Sequence, residues 1–252
     1  MGNIPVGLQM FTLRNETEKD FVGTLEKVAK IGYQGVEFAG YGGLSAKELK
    51  KTLDSLGLKA ASSHIQLQML QDDLDAVIAY AQEIGNKNVV IPFLTDDQRN
   101  KEFYYGLIDT LNDAGRKLHD AGITLSYHNH DFELQPLDNG KKPLELLFDE
   151  TNPEWVQTEL DIYWLTKAGE NPVEWVKKYH NRTPLVHLKD MTTDGDQFFA
   201  ELGTGGVDID GVMDAASKSN VEWWIVEQDQ TRRTPLESIE ISYNYLKNKL
   251  GL

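Results

Sequence analysis

Apolar positions along this chain fall into two alternating spacings, short strand-like runs and longer stretches with helical period. Residues 4–11 read as a first strand. A helix over 16–31 follows, with Phe21, Leu25 and Val28 on one face. Gly32 leads into a strand at 33–39, and Ser45 caps a helix that runs to about Leu56 and stops at Gly57. A strand at 58–65 precedes a helix at 70–84, which aligns Leu74, Val77 and Ile78 and ends at Gly85. The same alternation predicts a strand at 88–93, a long helix at 96–121, a strand at 123–129 and a short helix at 143–149. It continues with a strand at 155–164, a helix at 172–179, a strand at 184–189 and a polar, Gly-rich loop at 191–206. A helix at 209–218, a strand at 222–228 and a helix at 235–249 close the chain.

Eight strand–helix pairs over this length are the arithmetic of a (β/α)8 TIM barrel, a single domain spanning 1–252. No linker, low-complexity segment or close repeat divides it. An open doubly wound sheet would want a Gly-rich loop after the first strand, and residues 12–17 hold no glycine. Gly203-Thr-Gly-Gly206 comes too late and follows no clear strand.

One strand breaks the expected pattern. With period two, residues 155–164 send Gln157, Glu159 and Asp161 to one face and Val156, Thr158, Leu160 and Ile162 to the other. A strand covered by helices normally reads apolar on both faces. Carboxylates turned inward must be protonated, paired or bound to a cation. Three other strands end similarly: one in His128 and His130, one in His187 and Lys189, one in Glu227 and Asp229. In a barrel of this type the chemistry gathers at the C-terminal strand ends, where Glu37 and His64 also fall. Asp, Glu and His suit a hard or borderline divalent cation, with Mn2+ placed first and Mg2+, Co2+ or Zn2+ as alternatives.

Composition narrows the field. The chain has no cysteine, which removes disulfides and thiolate ligands and fits a cytoplasmic protein. No apolar run approaches a membrane span, and the N-terminus lacks a signal-peptide profile. Its Met-Gly start does not complete a myristoylation pattern, because Val6 stands where Ser or Thr is wanted. With 25 basic and 40 acidic residues the net charge is −15, which argues against a nucleic-acid partner.

The segments Tyr127-His-Asn-His-Asp-Phe-Glu133, Glu159-Leu-Asp161, His187-Leu-Lys-Asp190, Glu201-Leu-Gly-Thr-Gly-Gly-Val-Asp208 and Val226-Glu-Gln-Asp229 together resemble the sugar phosphate isomerase/epimerase group. That group is one of the xylose-isomerase-like TIM barrels and is similar to inosose dehydratases, ketose 3-epimerases and endonuclease IV. Gln9-Met-Phe-Thr-Leu-Arg14 matches its recurring first strand. The resemblance implies one divalent ion held at the ends of strands five to eight by Glu, Asp, His and Glu. Asp161, His187 and Glu227 match the last three, while His128 stands where the epimerases carry glutamate. Either His128 or the nearby Glu133 would complete the set. The implied activity is proton abstraction beside the carbonyl of a keto-sugar or keto-cyclitol, giving isomerisation or epimerisation. Expulsion of a neighbouring substituent, as in a dehydratase or keto-glycoside lyase, is the alternative. The 3-epimerases use a glutamate pair on opposite substrate faces, so His128 shifts the balance toward elimination. Glu159, Lys189, His130 and Glu227 are the catalytic candidates; Glu37, His64, Trp164 and Glu201 are the substrate-binding candidates.

Plainer readings stand beside these. Glu159 and Asp161 could pair with Lys189, Glu37 with Arg14, and His187 could be an ordinary core histidine. Trp175, Trp223 and Trp224 default to core or subunit contacts, and the Gly203–Gly206 run to a flexible loop with Glu201 closing over the site. Arg232 and Arg233 are the candidates for a substrate phosphate, though a substrate without phosphate is favoured. A three-metal phosphodiesterase would want more histidines than six and a basic groove; a sugar-binding barrel without catalysis would want a disabled ligand set. A homo-oligomer fits the resemblance.

Overall fold

In the computed structural model, which describes residues 4–252, eight parallel strands close into a barrel. The Met-Gly start considered above lies outside the described residues. The strands are β1 (Val6–Gln9), β2 (Gly35–Phe38), β3 (Lys59–His64), β4 (Asn88–Ile91), β5 (Thr124–His128), β6 (Val156–Asp161), β7 (Leu185–Leu188) and β8 (Trp223–Val226). Their order around the barrel is sequential, with β1 pairing both β2 and β8. The main connecting helices are α1 (Phe21–Ile31), α2 (Ala46–Leu56), α3 (Leu74–Ile84), α4 (Lys101–Asp120), α5 (Pro143–Glu150), α6 (Pro172–Lys178), α7 (Ile209–Ala216) and α8 (Pro235–Leu250).

Three helices begin later than the hydrophobic spacing predicts. Asp20, Asp73 and Asn100 each turn a side-chain oxygen back to the backbone N–H three residues on. That bond satisfies one orphan donor of a new helix, so α1, α3 and α4 start at these caps. Short separate helices, Arg14–Lys19 and Leu67–Asp72, precede the first two. Where the cap signal was visible in advance the start agrees: Ser45 and Glu48 form a reciprocal capping box on α2, and Gly57 closes it at φ +67°.

Two apolar layers hold the fold. The larger lies between strands and helices, where Leu8, Val36, Leu125 and Val186 meet residues such as Leu25, Leu49, Leu111 and Val212. The smaller fills the barrel near the strand starts and consists of Ala61, Val90, Leu185, Trp223 and Ile225. The Trp223 and Ile225 side chains occupy space that glycine leaves free on β1 and on β2, the strand beyond it. A Cβ on Gly35 would stand 2.7 Å from the Trp223 ring, and one on Gly7 would stand 2.9 Å from Ile225. Above this plug, inward positions change to His, Glu, Asp and Lys.

The strand predicted at 155–164 ends at Asp161 instead. Asp161 Oδ1 accepts from the N–H groups of Tyr163 and Trp164 and so starts a helix, Ile162–Lys167. The Gly203–Gly206 segment is not a loose loop. Asp190 is buried and accepts from the backbone N–H of Met191, Gly203, Gly205 and Val207, which pins the segment against β7. Among the described residues, no helix is long and apolar enough to cross a membrane.

Candidate metal centre

Parallel pairing sets the site. Register places His128 beside Glu159 on β6, and Asp161 beside His187 on β7. Glu227 follows directly on β8. His128, Asp161, His187 and Glu227 are all buried, and each offers a ligand atom within 4.8 Å of the others. Asp161 Oδ2 lies 3.0 Å from Lys189 Nζ but receives no hydrogen bond. Two imidazoles, two carboxylates and a buried, undonated carboxylate oxygen are a donor set that fits a first-row divalent cation.

A second tier of side chains lies behind these donors. His187 Nε2 is 2.6 Å from Glu37 Oε1, and its Nδ1 is 3.0 Å from Glu227 Oε2. Glu159 Oε2 is 2.8 Å from His64 Nε2 and 2.9 Å from His128 Nδ1. Glu37 itself accepts from Gln9 Nε2 and from the Ser62 hydroxyl. A register shift between Val36 and Glu37 puts Glu37 opposite Ser62. Glu37 therefore pairs with histidines across the barrel and not with Arg14, which bonds the Phe11 carbonyl and packs over the Phe11 ring. Glu159 is wholly buried, and its Oε2 faces His64, His128 and His187. His64, His128, Glu159 and His187 form a second group of convergent donors, sharing two residues with the first.

Charge follows from this packing. Burial opposes ionisation of Glu37, yet His64 and His187 hold its carboxyl well below the usual range. Burial would lower His64, but Glu37 and Glu159 push it up to about 10. His128 is held well below its ordinary value by burial and by His187, His130, His64 and Lys189. Burial and Lys189 take His130 down to about 3, and its Nδ1 has no hydrogen-bond partner. Lys189 is 1% exposed and stays charged despite burial, because Asp161, Asp229 and Glu227 surround it at 2.5–3.0 Å. The anticipated pairing of Asp161 with Lys189 thus exists alongside the convergent donors.

A cleft of about 1010 Å3 opens above this floor, lined at its base by His64, His128, His130, Lys189, Glu227 and Asp229. Trp164 forms part of its wall, whereas Trp175, Trp223 and Trp224 are buried in the core. Several expected residues are elsewhere. Glu133 is buried and turned to the Tyr127 hydroxyl and the His130 N–H, outside the convergent donors. Glu201 accepts from Ser238 of α8 and sits beside Arg233, outside the cleft lining. Arg232 is tied to Asp194 and Asp196, so neither arginine after β8 faces the cleft. Asp229, Gln9, Ser62, Phe93 and Arg99 complete the site and its walls. Asp229 and Gln9 carry a readable signal, polar residues at strand ends; the other three carry none in sequence.

The chain belongs to the xylose isomerase-like TIM barrel family, whose model matches residues 25–249. It is 26% identical to an inosose dehydratase of Clostridium beijerinckii, over 93% of this chain and 91% of that protein. The crystal structure of a sugar phosphate isomerase/epimerase of Parabacteroides distasonis superposes with a TM-score of 0.83 at 27% identity, covering 98% of this chain and 94% of that one. A structure described as IolI protein with a binding zinc atom has the same fold, with a TM-score of 0.74 at 14% identity and 98% of both chains covered.

Proposed function

We propose that this protein is a divalent-cation-dependent enzyme, with Mn2+ as the first candidate ion, that removes a proton beside the carbonyl of a keto-sugar or keto-cyclitol and expels a substituent from the next carbon. The observation that carries this reading is the convergence of His128, Asp161, His187 and Glu227, of which His128 and Glu227 line the floor of a cleft that also holds Lys189 while Asp161 and His187 are buried beside them. The relatives named above as inosose dehydratase and sugar phosphate isomerase/epimerase support the substrate class.

His128, Asp161, His187 and Glu227 would hold the ion. When bound, it supplies electrostatic stabilisation to an oxygen that gains negative charge as the neighbouring C–H bond is broken. Lys189 stands at hydrogen-bond distance from Glu227 and Asp229 on the cleft floor, so it can pass a proton between substrate and carboxylate. His130 presents a neutral ring to the cleft and can hydrogen-bond a leaving hydroxyl. The apolar plug beneath closes the barrel below the floor, so the floor is reached through the cleft alone.

Elimination is favoured over epimerisation by what β5 contributes. Inversion at carbon wants a base on each face of the substrate, and the β5 end presents His128 and His130 while Glu133 is turned away. Elimination needs one base and one acid, which the Lys189 cluster supplies on one side.

Metal analysis of the purified protein, then a screen of keto-sugars and keto-cyclitols with and without a neighbouring leaving group, tests this. Asp161→Asn and His187→Ala should lose both the ion and turnover while circular dichroism stays native. Full activity after exhaustive chelation would overturn the reading.

A further inference from the structure

The cleft is too large for a single sugar ring. It encloses about 1010 Å3. Even at about 30 Å3 per non-hydrogen atom, the share of a water molecule in the liquid, a ring of roughly a dozen such atoms takes only about 360 Å3. More than half the space is left over.

The walls of that remainder are apolar and open to solvent. Among the described residues, the exposed large hydrophobics are Phe11, Met69 at 54%, Phe93 at 40% and Tyr105. All but Tyr105 line this one cleft. Exposed apolar side chains gathered in one concavity mark a binding surface, because scattered ones would need no explanation.

Rings lead outward from the floor in an unbroken line. The centroids of His128 and His130 are 5.0 Å apart, and Phe93 meets His130 edge-on at 5.2 Å. Beyond them the Arg99 guanidinium lies 4.8 Å over Phe93 and 3.8 Å over Phe132, anchored by the Leu94 carbonyl. Phenyl rings, a thioether and a flat cation are the groups that attract a planar aromatic ring.

We propose that the outer cleft is a subsite for an aromatic aglycone, so that the substrate is a keto-glycoside bearing an aryl group. This rests on the elimination reading above. The proton leaves the carbon between the carbonyl and the anomeric carbon, and its bonding pair becomes a carbon–carbon double bond. The anomeric C–O bond breaks, the aryl oxygen keeps that pair and takes up a proton, and a phenol departs from an unsaturated keto-sugar. Nothing is oxidised or reduced overall by an outside reagent.

Calorimetric titration with 4-nitrophenyl glucoside, which has no carbonyl and cannot react by this route, reads the subsite apart from the chemistry. It should bind more tightly than methyl glucoside. Phe93→Ala should raise the Kd of the aryl compound by roughly three- to tenfold and that of the methyl compound by much less. Phe93 is exposed enough that its truncation leaves the core intact, and Tyr105→Ala, outside the cleft, should change neither. Equal affinity for the two glucosides, or an equal loss in Phe93→Ala, would overturn the subsite. Cellobiose bound as tightly, with the same loss in Phe93→Ala, would replace the aromatic occupant with a second sugar. Release of nitrophenol from the 3-keto derivative by the Mn2+-loaded enzyme supports both readings. Selective aryl binding without release removes the elimination reading and leaves the subsite standing.

Discussion

His187 Nε2 stands 2.6 Å from Glu37 Oε1, which joins the seventh strand to the second across the barrel interior. If Nε2 carries the proton and donates it to Glu37, the Nδ1 lone pair is left facing Asp161 and Glu227. Glu159 acts in the same way on His128 through Nδ1. With an ion bound, the buried carboxylates would thus select the tautomers that leave a nitrogen lone pair toward it.

Glu37→Gln should therefore weaken divalent-ion affinity by roughly 10- to 100-fold although Glu37 is not among the convergent donors. The amide also leaves His64 and His187 without a buried carboxylate partner, so the thermal midpoint of the ion-free protein should fall, and added ion should restore less of it than in the unaltered protein. An unchanged Kd in a metal titration would show that Glu37 does not orient His187.

Lys189 separates ion binding from turnover. Its charge opposes a second cation nearby, so Lys189→Met should bind the divalent ion at least as tightly as the unaltered protein. Turnover should fall by about 10²- to 10⁴-fold if Lys189 moves protons. Without the ion, this variant leaves Asp161, Glu227 and Asp229 uncompensated and should lose roughly 3–5 kcal/mol of stability. Added ion should restore much of that loss. Full turnover in Lys189→Met would remove Lys189 from the chemistry.

Glu133 predicts a pH dependence of stability. Burial pushes its carboxyl up to about 8, against about 4.3 for a free glutamate. Between those values the unfolded chain gives up its proton while the folded protein keeps it. The contribution of Glu133 to stability is therefore present in full at low pH, declines as pH rises through that window and levels off above about 8. Glu133→Gln should flatten the decline and stabilise the protein near pH 8 by an amount on the order of a few kcal/mol. Urea denaturation at several pH values checks this; parallel curves for the two proteins would contradict it.

Gly35 tests the plug beneath the site. Gly35→Ala should destabilise the fold by about 1–3 kcal/mol, because the added methyl meets the Trp223 ring and the Lys59 carbonyl. A smaller side chain at 223 should recover part of that loss in the double variant. Ion affinity should be preserved, since the donors stand on later positions of the strands. No change in denaturation midpoint for Gly35→Ala would mean that the ring moves aside freely.

Much of the architecture was readable because strand and helix periodicities are local. All eight barrel strands fall where the alternation placed them, each shorter at one or both ends. The helix starts at Asp20, Asp73 and Asn100 were missed because a capping Asp or Asn also fits a polar position of a continuing helix. Asp161 was read as part of a longer strand for the same reason: its backbone is extended while its side chain already caps the next helix.

From the sequence alone came the inward carboxylates of the sixth strand and the His and Glu residues at the ends of its neighbours, since period two assigns each side chain to a face. The tertiary structure decided which of them meet. It set Glu159 and Glu37 against the histidines, sent Glu133 and Glu201 to other partners, and placed Phe93 and Arg99 in the cleft wall. Those outcomes depend on register around a closed barrel and on loops that bring distant residues together. A one-residue shift would reverse the facing of every side chain, and no local pattern records it.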